Sequence, residues 1–160
     1  MVAEIEWLRL FIDHYRYLEY FIIFLGAAFG GELALLALGF LAAQNVFSIY
    51  YLIVLGFLGT LFSDTLWFWL GRTSVIKRMI KHRYTHSTIS VINKVIERIS
   101  KGNHLVALII AKFLVGTRVL MMMYVGTRII DFKHFLRYDV IAIVTWLVVV
   151  IPIGVLSGLG

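Results

Sequence analysis

The chain has 160 residues, 61% of them hydrophobic and 15% charged, with a mean hydropathy of +0.93. A soluble domain is about half apolar and a quarter charged, so a disordered chain and a soluble α/β enzyme are excluded. The absence of cysteine excludes a disulfide-stapled fold as well. What remains is an all-α integral membrane protein, with one proline and thirteen glycines to allow close helix contacts.

Residues 4–19 read as an amphipathic surface helix. Glu6, Arg9, Asp13 and Arg16 recur at spacings of three and four and share one face, while Ile5, Leu8, Ile12 and Tyr15 share the other. Trp7 and Phe11 beside the apolar stripe suit a helix lying along the membrane. Glu4 and Glu6 stand where a signal peptide would carry basic residues, so no cleaved leader is expected.

Residues 20–71 form the first membrane half and contain only two charges, Glu32 and Asp64. A membrane span needs about 20 apolar residues, so two spans fit, with a turn at Gln44–Ser48 and an interfacial anchor at Tyr50 and Tyr51. Gly26, Gly30 and Gly31 support a second drawing, in which one helix ends near Gly30 and a re-entrant segment near 32–44 begins at Glu32.

Residues 72–101 hold eight basic residues and one acid, Glu97, so the rest of the chain carries no positive surplus against the total of +6. A basic segment between two apolar halves faces the cytoplasm by the positive-inside rule. Ile89, Ile92, Val95, Ile96 and Ile99 give its second part an apolar face for the inner leaflet. Nucleic acid is not the expected partner, because Tyr84 is the one aromatic available for base stacking there.

Residues 102–160 form the second membrane half. Lys112 and Arg118 interrupt an apolar run, a charged patch spans Arg128 to Asp139, and Val140–Gly160 is a charge-free span. The two halves echo each other: Gly31-Glu32 precedes a small-residue run to Gly39, and Gly116-Thr117-Arg118 precedes one to Gly126, placing a second re-entrant segment near 113–127. Paired, glycine-interrupted segments of this kind point to a transporter with inverted repeats.

A charge at mid-span costs on the order of 2.5 to 3.5 kcal/mol, so Glu32, Asp64, Lys112 and Arg118 are the candidate functional residues. Lys112 is the weakest of the four, because its long stem brings an interface within snorkelling reach. Two readings compete: structural pairing, Glu32 with Arg118 for example, or a polar cavity for an ion or charged substrate. If Gly116 breaks the helix, Lys112 and Arg118 converge on one anion and freed backbone N–H groups join them. Arginine suits phosphate because its fork donates two parallel hydrogen bonds.

Enzyme chemistry is not expected. The chain has no cysteine, no H-E-x-x-H, no G-x-S-x-G and no phosphate-binding glycine loop. His14, His82, His86, His104 and His134 read as surface residues, and neither a metal nor a cofactor is called for. Gly26/Gly30 and Gly154/Gly158 read as helix-packing pairs, and Met121–Met123 as lipid-facing or core filling.

Four passages resemble the DedA family, also described as the SNARE-associated or VTT domain. Glu19 followed by Phe29-Gly30-Gly31-Glu32-Leu33 resembles the family's first-helix glutamate and Pro-Gly-acid motif. Gly59–Asp64 with Gly71-Arg72 resembles its glycine-rich helix. Lys112-Phe113-Leu114-Val115-Gly116-Thr117-Arg118 resembles its Arg-Phe-x-Pro-Gly-x-Arg, and Val125-Gly126, Phe135, Trp146 and Gly154–Gly158 follow in the family's order. Gly30 and Val115 replace both motif prolines, Lys112 the first arginine, and Ser63 a glycine. The family pattern continues into a further membrane helix after the Gly154–Gly158 position.

The resemblance implies polytopic helices with two re-entrant hairpins in an inverted-repeat arrangement, in the plasma or bacterial inner membrane. It implies translocation of an anionic lipid, a polyprenyl phosphate carrier or a phospholipid, between leaflets, coupled to protons. Lys112, Gly116 and Arg118 would bind the phosphate, and Glu19, Glu32 and Asp64 would handle protons. Its partners would be membrane lipids and further copies of the chain. The competing reading is a proton- or ion-coupled transporter of a small solute.

Overall fold

A computed structural model describes residues 16–74, 94, 98, 104–113, 118, 119, 122, 125 and 131–160. Residues 4–15 of the expected surface helix, nearly all of the basic segment, and Gly116 with most of the 113–127 segment lie outside these residues. Among the described residues every element is helical and no strand occurs. The helices are α1 (Arg16–Phe29), α2 (Gly31–Ala43), α3 (Ile49–Gly71), α4 (His104–Phe113) and α5 (Phe132–Leu159).

Two of these, α3 with 23 residues and α5 with 28, are long and apolar enough to cross a membrane. At 1.5 Å per residue they reach about 35 and 42 Å, against a hydrocarbon core of about 30 Å. With 14 and 13 residues, α1 and α2 reach only about 20 Å each. Both sequence features in this half are present, a break at Gly30 and a turn at 44–48.

The chain divides into two compact units, residues 1–60 with 147–160, and residues 61–146. In the first unit α1 folds back onto α2. A Cβ on Gly26 would lie 3.1 Å from a Leu38 methyl, twelve residues on, which a continuous helix would place about 18 Å away. The reversal occurs where Gly31 adopts φ +63°, a left-handed conformation that costs most side chains about 1–2 kcal/mol. Leu35, Leu38 and Gly39 form the buried face of α2.

The turn after α2 contains Asn45 at φ 57°, a residue type that tolerates the left-handed region. Its N–H donates to the Ala42 carbonyl at 3.0 Å, and the Gln44 side chain donates to the Gly158 carbonyl. Ser48 opens α3, its carbonyl accepting from Leu52 N–H at 3.0 Å.

The end of α5 lies against α2 through glycines. A Cβ on Gly39 would sit 3.1 Å from Gly154 Cα; on Gly154, 2.6 Å from the Leu36 carbonyl oxygen; on Gly158, 2.7 Å from that of Phe40. The Gly154/Gly158 pair therefore serves helix packing, as its small-xxx-small spacing suggests. Pro152 lies within α5 and supplies no N–H to the Val148 carbonyl. Beside it, an apolar groove of about 490 Å³ is lined by Ile49, Ile53, Val148, Pro152 and Leu156 among others.

The second unit has an aromatic core. Phe68 of α3 stacks on Phe135 of α5 at 4.2 Å and 15°, with Leu108, Met122 and Ala142 packed around them. Arg72, just past α3, lies over the rings of Phe68 and Trp69 at 4.7 and 5.4 Å. His134 is exposed, 4.0 Å from Asp131.

Candidate functional site

Four charged side chains meet inside the second unit. Asp64 lies one helical turn before Phe68 on α3, and Asp139 one turn after Phe135 on α5, so the stacked rings hold both carboxylates at one level. Asp64, Asp139 and Lys112 are fully buried and Arg118 is 6% exposed. Lys112, near the end of α4, donates through Nζ to Asp64 Oδ2 and lies 2.8 Å from Asp139 Oδ1. Arg118 Nε donates to Asp64 Oδ1 at 2.8 Å. Asp64 thus takes a charge-assisted hydrogen bond on each oxygen, one from each cation.

Asp139 is held less completely. It meets Lys112 at ion-pair distance, but neither of its oxygens receives an aligned hydrogen bond among the described residues. The Arg118 guanidinium sits 5.6 Å from the Trp146 ring centre, and the Trp146 indole N–H is buried without an acceptor among the described residues. Two acids and two bases make the cluster neutral. Its carboxylates neutralise the very cations that suit a phosphate.

Two sequence expectations change here. Lys112 does not snorkel to an interface: two carboxylates hold its ammonium at full burial. Asp139, the last residue of the charged patch that the sequence shows, is set apart from it, because α5 begins at Phe132 and turns Asp139 onto its buried face. That face was marked in the sequence by Phe135, Ala142, Ile143 and Trp146, three to seven residues from Asp139 on one helical stripe. Lys112 and Arg118 do converge on one anion, and in this structure that anion is Asp64.

The other acidic candidates lie in the first unit. Glu19 of α1 accepts the Ser48 N–H at 3.0 Å, placing a carboxylate at the positive end of α3. Glu32 stands in the first turn of α2. It is half-buried, and its Oε1 is buried with no hydrogen-bond partner among the described residues.

The sequence pattern of the VTT domain matches residues 19–156, a stretch that contains every one of these charges. The chain belongs to the DedA family. DedA proteins are membrane proteins of a transporter-type family, and this chain is one of them. No curated protein and no solved structure matches it.

Proposed function

We propose that this DedA protein is a translocase that moves an anionic lipid, a polyprenyl phosphate carrier or a phospholipid, between leaflets, coupled to protons. The observation that carries this reading is the neutral cluster of Lys112 and Arg118 with Asp64 and Asp139, buried in a transporter-type membrane protein. Buried ion pairs are weak sources of stability, so a cluster of four in apolar helices is better accounted for by a charged substrate. Lys112 and Arg118, with backbone donors around Gly116, take the phosphate. Glu32, with Glu19, exchanges protons, while Asp64 holds the two cations.

The apolar groove beside Pro152 has the chemistry of a site for hydrocarbon. The α1–α2 hairpin, too short in either arm to span, suits a re-entrant element with its tip at Gly30–Gly31. In this reading residues 113–127 provide its inverted counterpart, residues 72–101 face the cytoplasm, and the chain crosses the plasma or bacterial inner membrane several times.

The test is Arg118→Lys, which keeps the charge and removes the planar fork. In proteoliposomes the variant should bind and translocate anionic lipid about ten- to hundredfold less well, the equivalent of one charge-assisted hydrogen bond, with unchanged expression. A lysine variant that handles lipid like the parent defeats the phosphate clamp. Proton-driven uptake of a small solute without lipid movement would establish the competing solute transporter.

A further inference from the structure

Asp139 is the acid that the sequence did not single out and that the cluster satisfies least. We infer that Asp139 is the proton-accepting switch of the cluster: its protonation releases Lys112 and turns a neutral site into an anion-binding one. The inference rests on the lipid-translocase reading for the identity of that anion.

The asymmetry between the two buried aspartates carries the argument. Asp64 receives Lys112 Nζ on one oxygen and Arg118 Nε on the other, a charge-assisted hydrogen bond at each. Asp139 is equally buried, yet among the described residues it shares one cation, Lys112, which already donates to Asp64. A buried carboxylate whose ion-pair partner already donates to a second acid has its desolvation cost only partly offset, so a proton entering the cluster settles on Asp139.

Among the described residues the charged groups that face Asp139 are Asp64 from α3, Lys112 from α4 and Arg118. On α5 itself Lys133, His134 and Arg137 are exposed and take no part. When one proton from water converts the Asp139 carboxylate to the acid, Asp64 remains the sole anion against two cations. The cluster then carries one positive charge, and Lys112 has lost a partner that a lipid phosphate can replace. Loss of the proton restores the Asp139–Lys112 pair and expels the phosphate.

Difference infrared spectroscopy of the full chain in phosphatidylcholine vesicles reads the proton directly. Moving from mildly alkaline to mildly acidic buffer should raise a protonated-carboxyl band that Asp139→Asn removes and Asp131→Asn, at an exposed carboxylate, leaves in place. In parallel, binding of phosphatidylglycerol, whose phosphodiester keeps its charge over this range, should tighten about tenfold on acidification in the parent. In Asp139→Asn it should be tight at both pH values.

A band that persists in folded Asp139→Asn overturns the inference, whatever the lipid does. If the band is lost but phosphatidylglycerol binds no better than phosphatidylcholine at either pH, the proton site stands and the lipid reading falls. Should Asp139→Asn fail to fold, Asp139→Glu keeps the acid. It must shift the carboxyl band and retain the pH dependence, and an unshifted band rejects Asp139.

Discussion

In the unit of residues 1–60 and 147–160, Gly39 and Gly154 bring two helix backbones together. In residues 61–146 the long helices α3 and α5 are instead joined by a Phe68–Phe135 stack and flanked by buried charge. The change occurs within each helix. Ile49–Thr60 and Leu147–Gly160 carry no charge, while Asp64 and Asp139 fall in the other parts. Backbone contact needs only small residues and tolerates no added atom. A charged cluster needs all its members at once, since each alone in an apolar unit is unfavourable.

The sharpest break in this comparison is Lys112→Met, which keeps the volume and removes the charge shared by Asp64 and Asp139. Leaving two buried carboxylates with one cation should cost about 3–5 kcal/mol, seen as a large fall in melting temperature in detergent. A variant as stable as the parent would show that the second unit does not depend on its charges.

In the first unit Gly154→Leu is the counterpart. A side chain there meets the Leu36 carbonyl and must push α5 from α2, at about 1–3 kcal/mol, measured by the same melt. A neutral result would place the packing energy elsewhere than the glycine contact. The smallest effect belongs to Glu19→Gln, which keeps an acceptor for Ser48 N–H but removes the charge at the start of α3. It should cost about 0.3–1 kcal/mol, and more than that would mark Glu19 as part of a buried site rather than a cap.

Much of the first unit was legible because its signals are local. Gly30-Gly31 marks a reversal and Gln44-Asn45 a turn through conformations that few residues adopt. The charge cluster was only half legible. Asp64, Lys112 and Arg118 stood out as charges in apolar runs, but their pairings join residues 48 and 54 positions apart. No local pattern specifies such partners. Asp139 was hidden by its neighbours: Lys133 and Arg137 are exposed, and mean polarity over Arg128–Asp139 reads as surface. Only the helical phase separates Asp139 from them, through Phe135 four residues before it and Trp146 seven after.

The glycine contact between α2 and the end of α5 also bears on motion. Backbones this close, with Gln44 tied to the Gly158 carbonyl, leave no room for one helix to slide along the other. The pair is packed as a single body within its unit. The freedom left to α2 within its unit lies at the Gly30–Gly31 reversal, where glycine backbones rotate at little cost. Stiffening that joint would restrict α2 without altering any charged side chain of the cluster.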